Sequence, residues 1–333
     1  MSIIRYNLEH VYNTQLPKSL NNFFNYLETI KGKSKNTVEG YKIDLTMFFK
    51  FIKLYRGLVP KECDFHNIKI SDVGTELIKS IDLNDLFAFI SFTENYRDNG
   101  SYARARKVAS LKSFFRYLYG KAKIISENPA SELESPQINK RNPIYLSLDE
   151  SKSLLKAIES TDCRFKERDY CMITLFLNCG MRLSELCGID ISKIKDDTLT
   201  VVGKGNKERT IYLNKACLKS LNNYLTVRKY EYDKIKDKDA LFISKNYTRI
   251  NKRSVELILK KYLKAAGLDT KKYTPHKLRH TAATLMYKYG NVDIRSLQKI
   301  LGHENVSTTQ IYTHVDDEKL REAVKSNPLS DES

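Results

Sequence analysis

Cysteine is scarce in this chain of 333 residues: there are six, and no two form a C-x-x-C pair. Without that spacing they build neither a structural zinc site nor a dithiol redox motif. Cys163, Cys171, Cys179 and Cys187 recur every eighth residue, which again is not metal-ligand spacing. Cys171 and Cys179 fall on one face of a helix, where a free cysteine is a small apolar packing group. All six read as reduced thiols of a cytoplasmic protein. Long apolar runs are missing as well. No stretch approaches the ~20 residues of a membrane-spanning helix, and Asn7, Glu9 and His10 interrupt the start before a signal-peptide core can form. A membrane partner is therefore not expected. Nor is there a carboxylate cluster of two-metal type or a glycine-rich nucleotide loop, so neither metal nor cofactor is expected. Internal repeats and low-complexity tracts are also missing.

Acidic residues are outnumbered, 40 Asp+Glu against 57 Lys+Arg, for a formal charge of +17. Such an excess points to a polyanionic partner, because neutralising phosphates releases condensed counterions. Charge does not say which polyanion.

The length allows two domains. Residues 1–16 form a lead with little pattern, 17–134 a helical unit, 135–146 a linker, and 147–333 a second unit. In the first unit a helix is expected over 18–30, with Leu20, Phe23, Phe24 and Leu27 as its apolar face. Ser34 caps the next, on which Val38, Tyr41, Leu45, Phe48 and Ile52 alternate steps of three and four. Gly57 and Pro60 end it, and 58–81 reads as an irregular excursion of weak strand or loop character. Helices follow over 83–95 and from Ser101 to about Tyr119. The last has Ala105, Val108, Leu111, Phe115 and Leu118 inward, and Arg104, Lys107, Lys112 and Arg116 on its other side. Alone, that basic face is a solvated one; in a protein this basic it becomes a candidate for phosphate contact. Lys140 and Arg141, in the proline-flanked linker, are further candidates. The second unit is helical from Ser147 onward except near 198–213. There Leu199-Thr200-Val201-Val202 and Arg209-Thr210-Ile211-Tyr212-Leu213 flank a glycine-containing turn, the composition of a β-hairpin.

Four segments of this unit carry candidate chemistry. In Gly180-Met181-Arg182-Leu183-Ser184-Glu185-Leu186, Gly180 stops one helix, while Arg182 and Glu185 stand three apart at the start of another. Taken alone, they read as a surface ion pair. In Gly203-Lys204-Gly205-Asn206-Lys207-Glu208-Arg209 two glycines present Lys204 at a turn, where a lysine can meet phosphate or donate a proton. In Thr274-Pro275-His276-Lys277-Leu278-Arg279-His280, Thr274 as cap and Pro275 at the first position fix a helix start. His276 then lies in the first turn, where backbone donors and the dipole favour an anion, with Arg279 on the same face. The fourth runs from Ile300-Leu301-Gly302-His303 to Ser307-Thr308-Thr309-Gln310-Ile311-Tyr312. Gly302 ends an amphipathic helix and lets His303 project, and Ser307 with Gln310 matches a capping box. Tyr312, a little past one turn on, would by itself be half-buried packing. After it, 317–325 carries a short amphipathic pattern with Leu320, Ala323 and Val324 on one side.

Together GMRLSEL, GKGNKER, HKLRH, LGH and STTQIYTHV resemble the tyrosine recombinase (phage integrase) family, nearly end to end over the second unit. LGHENVSTTQIYTHV looks closest to the Xer-type members, although the 58–81 excursion lengthens the first unit relative to a compact Xer-like one. The resemblance implies a mainly α, two-domain clamp: a helical core-binding domain and a mostly helical catalytic domain with a small antiparallel β-hairpin or sheet. It implies a site-specific recombinase that joins to DNA through a 3′-phosphotyrosyl bond and acts on a duplex recombination site. The acting form would be a homo- or hetero-tetramer with a related recombinase. By the same resemblance Arg182, Arg279 and His303 would hold the scissile phosphate and Tyr312 would attack it. Lys204 would protonate the leaving 5′ oxygen, His276 would assist at the tyrosine, Glu185 would position its neighbours, and His280 would be structural. The tail would pack on a neighbouring protomer. A type IB topoisomerase, or a DNA-binding protein with an inactive site, are the alternatives. A helical RNA-binding module would explain the charge but not the constellation.

Overall fold

A computed structural model describes residues 12–137, 143–203 and 207–315, with the backbone alone at 307 and 313–315. Lys140, Arg141, Lys204 and the amphipathic stretch 317–325 lie outside the described residues. The chain forms two compact units, Met1–Lys140 and Arg141–Ser333.

The first unit is helical because its apolar residues recur at helical spacing and its helix starts are capped. Helix α1 (Lys18–Asn25) runs on as a π-helical turn, Tyr26–Ile30, and buries Leu20, Phe23, Phe24 and Leu27. Ser34 caps α2 (Lys35–Tyr55), its hydroxyl accepting from the Thr37 N–H. Gly57, at φ 65°, turns the chain after α2. The excursion that follows is neither strand nor plain loop. It holds a 3₁₀ turn, Phe65–Asn67, and a short helix α3, Thr75–Lys79. Ile68, Ile70, Val73, Ile78 and Ile81 of this stretch are buried. Lys53 of α2 ties it down by donating to the Lys69 carbonyl and to Asp72, and Lys50 and Arg56 donate to the His66 and Ser80 carbonyls, so the excursion is held by packing and cations rather than by a ladder. An Asp82/Asp85 capping box starts α4 (Leu83–Asn95), and α5 (Ser101–Gly120) closes the bundle. Its core is rich in phenylalanine: Phe23, Phe48, Phe49, Phe89, Phe114 and Phe115 are fully buried. The rings meet edge to face, as Phe48 and Phe89 do at 5.2 Å. Truncating one such ring to alanine costs about 3–5 kcal/mol.

The second unit is built around α7 (Lys166–Cys179), which packs against α6 (Leu148–Glu159) and two later helices. Ser147 and Glu150 form the capping box that starts α6. Helix α8 is short, Leu183–Cys187, and leads to a three-stranded antiparallel sheet: β1 (Ile194–Lys195), β2 (Thr198–Val202) and β3 (Glu208–Tyr212). Leu199 pairs with Ile211 and Val201 with Arg209, which sets one apolar face of the hairpin on the core. Then come α9 (Lys215–Lys229), α10 (Lys252–Ala265), α11 (Pro275–Tyr289) and α12 (Ile294–Leu301). Cys171, Cys179 and Cys217 are buried free thiols, the Cys179 and Cys217 sulfurs 3.7 Å apart. Two 3₁₀ turns, Val306–Thr308 and Gln310–Val315, follow α12. The capping box expected of Ser307 and Gln310 rests on a Ser307 side chain outside the described residues. Asn305 precedes the first turn without a side-chain cap, and Tyr312 stands on 3₁₀ rather than α-helical backbone. No helix among the described residues is long and apolar enough to cross a membrane.

Candidate active site

Gly180 ends α7 in the left-handed conformation, φ 59°, so the chain reverses at once into α8. That backbone favours glycine, and a Cβ there would also press on Leu301 Cδ2 at 2.8 Å. The reversal puts Arg182 before α8 and Glu185 in its first turn. One Glu185 oxygen accepts the Arg182 backbone N–H at 2.7 Å, and the other meets the Arg182 guanidinium at 2.7 Å. Glu185 is no surface residue. Its side chain is fully buried, and Arg209 of β3 also binds it, at 2.8 Å. Arg279 of α11 stands 3.9 Å from the same carboxylate. Burial would push the Glu185 carboxyl up, but the pairing with Arg209 and Arg182 prevails and holds it below its usual range. Three guanidiniums therefore share one carboxylate, and the surplus of positive charge stays in the site.

The end of α12 orders these arginines. Gly302, at φ 63°, caps that helix and leaves its last carbonyls to outside donors. Arg182 donates to the Gly302 carbonyl at 2.8 Å, Arg279 to that of Leu301 at 2.6 Å and to that of Gly180 at 2.8 Å. Each arginine has five N–H groups, so donors remain for a ligand. Burial and then Arg182 depress Arg279 to about 10, which leaves it charged at neutral pH. His303 is fixed by its Nδ1, 3.0 Å from the Thr309 hydroxyl, which leaves Nε2 as its other polar atom. A cavity of about 380 Å³ opens beside Arg182, Arg209, Gly203 and His303.

Tyr312 is 1% exposed and packs on Ala283, Leu297 and Leu301. Its hydroxyl lies 2.7 Å from Nδ1 of His280. Burial pushes the phenol up to about 12, against the opposing field of Arg279. The expectation had His276 at the tyrosine and His280 structural; here the ring in contact is His280. His276 is exposed and touches His280 edge to face, 4.5 Å between centroids. Thr274 and Pro275 start α11 as expected, the Thr274 hydroxyl accepting from the Lys277 N–H.

Of the predicted site residues, Arg182, Glu185, Arg279 and His303 thus meet around the end of α12, and Tyr312 and His276 lie on either side of His280. Arg209 belongs to the cluster and was missed. The signal was available: on a strand it shares a face with buried Ile211, so its side chain turns inward. Two of the DNA-contact candidates need correction. Lys107 is 3% exposed and pairs with buried Asp44 and with Asn99, so it faces the bundle and not solvent. Arg104 is largely covered and paired with Glu94. Lys112 is half-buried and Arg116 exposed; both line a groove of about 550 Å³ with Lys31, Lys33 and Lys121.

Two family models match the chain: the phage integrase family over residues 145–319, and the phage integrase N-terminal SAM-like domain over residues 20–121. The chain is 58% identical, over 99% of its length and 92% of the relative's, to a protein of Caldanaerobacter subterraneus subsp. tengcongensis named tyrosine recombinase XerC. A protein of that name from Thermodesulfovibrio yellowstonii is 36% identical over 94% of this chain and 97% of its own. Among solved structures, XerH site-specific recombinase bound to palindromic difH substrate, in a post-cleavage complex, matches with a TM-score of 0.69 at 22% identity, covering 95% of this chain and 91% of that one. The first of these matches runs over 331 residues, so the 58–81 excursion does not separate this chain from Xer-type relatives.

Proposed function

The chain belongs to the phage integrase family as a Xer-type tyrosine recombinase, an enzyme of site-specific DNA recombination, and from that premise we propose how its residues divide the reaction. The observation that carries the proposal is the surplus of arginine over carboxylate beside a buried, hydrogen-bonded Tyr312. Arg182 and Arg279 bind the non-bridging oxygens of the scissile phosphate and stabilise the charge of the pentavalent state. His303 adds a hydrogen bond through Nε2. Glu185 positions Arg182 and, with Arg209, completes the floor of the site. Tyr312 attacks phosphorus, forming a 3′-phosphotyrosyl link and releasing a 5′-hydroxyl, and the reverse attack rejoins the strand. Covalent catalysis thereby divides one difficult step into two reversible ones. Lys204 is the acid for the 5′ oxygen, and His276 works at the first turn of α11, where an anion is favoured.

Tyr312 begins the reaction buried, so the surface over it opens to admit the phosphate before attack. The acting form is a tetramer on two duplex sites in the cytoplasm, composed of this chain alone or of this chain and a related recombinase, with the tail after Tyr312 linking neighbours. Half-buried Lys112 and exposed Arg116 contribute phosphate contacts of the first unit. The function classes set beside this one, a type IB topoisomerase and an inactive DNA-binding protein, lack support from relatives matched over nearly the whole chain.

The test is capture of covalent adducts on genomic DNA from the source organism, followed by sequencing of the attached ends. Wild type is expected to give detergent-stable adducts at a recurring sequence. Tyr312→Phe is expected to bind that sequence with near-normal affinity and give none. Adducts persisting in the variant would remove Tyr312 from the role of nucleophile.

A further inference from the structure

Among the described residues, the hydrogen-bonding neighbour of the Tyr312 hydroxyl is His280, a histidine outside the expected catalytic set. The 2.7 Å separation from His280 Nδ1 lies within the reach a general base needs. With the His280 proton on Nε2, the Tyr312 O–H donates to Nδ1. The two rings lie on adjoining elements, α11 and the 3₁₀ turn after α12, and Tyr312 is sealed by Ala283, Leu297 and Leu301. A proton leaving the buried hydroxyl has His280 as its first stop. Behind His280 stands His276, edge to face and exposed, so the pair of rings connects the buried oxygen to the surface.

Resting on the reading of Tyr312 as nucleophile, we propose that His280 is a catalytic residue: it takes the Tyr312 proton during cleavage and returns it during rejoining. In cleavage the Tyr312 oxygen forms its bond to phosphorus as the bond from phosphorus to the 5′ oxygen breaks. The phenolic proton passes to His280 Nδ1, and the 5′ oxygen leaves with a proton from its own acid. In rejoining the 5′-hydroxyl attacks phosphorus and returns its proton to that acid, the bond from phosphorus to the tyrosyl oxygen breaks, and the His280 imidazolium restores the phenolic proton. No other reactant is needed.

The groups around His280 explain why this base is quiet in the empty site. Burial depresses it to about 4, and His276, Lys277 and Arg279 on its own helix and His303 from the end of α12 add to the effect. His280 is therefore neutral and able to accept, yet too weak to strip a buried phenol. A scissile phosphate bound by Arg279 and His303 offsets the cations that weaken it, so basicity rises when substrate arrives.

The experiment measures single-turnover adduct formation on a nicked duplex carrying the captured sequence, with sulfur in place of the bridging 5′ oxygen so that the leaving group needs no acid. His280→Asn keeps an acceptor near the Nδ1 position but cannot take up a proton; His280→Ala removes both. Folding is checked by melting, and site affinity by gel shift. His280→Asn is expected to bind normally and react about 100-fold slower near pH 8. The deficit should narrow toward pH ~5, where the wild-type imidazole becomes protonated. Added imidazole should partly restore His280→Ala. A His280→Asn rate equal to wild type, or a deficit constant across pH, would overturn the assignment, the second outcome reducing His280 to a positioning residue. Failure of wild type to form adducts, or adducts with Tyr312→Phe, would instead overturn the reading of the nucleophile and this inference with it.

Discussion

The helical bundle of the first unit and the end of α12 in the second handle positive charge differently. In the first, each buried lysine meets a carboxylate: Lys53 meets Asp72 at 2.7 Å, and Lys107 meets Asp44 at 3.3 Å. Asp44 has no exposed side-chain surface, and burial raises its pKa despite Lys107 and Arg106 beside it. In the second, Arg182, Arg209 and Arg279 share Glu185 alone and spend other donors on helix-end carbonyls. A cation matched by its own carboxylate has no charge left for a ligand. A cluster short of carboxylate keeps an unpaid demand for an anion, and here that cluster borders a cavity. Ratio and neighbourhood separate a structural cation from a functional one; burial alone does not.

The comparison can be broken most directly at Arg279. Arg279→Lys loses the planar fork that spans two carbonyls and a phosphate, and single-turnover cleavage should fall about 100- to 1,000-fold. Cleavage at the wild-type rate would mean that the surplus is structural after all. Next in size is Lys107→Ala, which leaves Asp44 buried with Arg106 as its remaining partner. The expected loss is about 3 kcal/mol of stability in denaturant melts, with the salt dependence of DNA binding unchanged. A shallower salt slope would return Lys107 to the DNA-facing set. Arg116→Ala should do the reverse: stability within ~0.5 kcal/mol of wild type, and a salt slope reduced by about 1.

The smallest effect sharpens the comparison through pH. His280 and His303 sit near 4 in the folded protein against an ordinary 6.5, burial being the first cause for both. Between those values the unfolded chain binds more protons than the folded one, so their contribution to stability is lost as pH falls from about 6.5 toward about 4. Asp44, raised by burial, has the opposite sign and gains as pH falls. Hydrogen exchange, corrected for intrinsic rate, should therefore show α11 and α12 opening more readily at pH ~5 than at pH ~7. Unchanged protection there would contradict the direction assigned to the two histidines.

Helices were the most legible part of the sequence, because caps and periodicity act over a few residues. Ser34, Ser147 and Thr274 each accept the expected backbone N–H, and the 83–95 segment has the expected bounds. The excursion after α2 was harder. Its buried isoleucines answer to the rest of the bundle rather than to a local period. The basic face of α5 was misread at Lys107 because a wide apolar stripe and a buried ion pair both turn inward, and spacing cannot tell a lysine at the stripe's edge from one in solvent. In the second unit the segments GMRLSEL, HKLRH and LGH were recognisable, but what joins them was not. Arg209 reaches Glu185 from a strand, and His280 meets Tyr312 across 32 residues of chain. Such pairings exist only after folding.

The bonds to the end of α12 also determine when the enzyme can become active during its own synthesis. Arg182 finds Gly302 across 120 residues, and Arg209 finds Ile300 across 91. Contacts this distant form late, because the entropy of closing long loops must be met before they contribute. Until α12 emerges and docks, Arg182 has Glu185 but no helix end to aim it, and Tyr312 has not yet been made. Under the roles proposed above, a partly folded chain is expected to hold DNA through its basic surface before it can cut it.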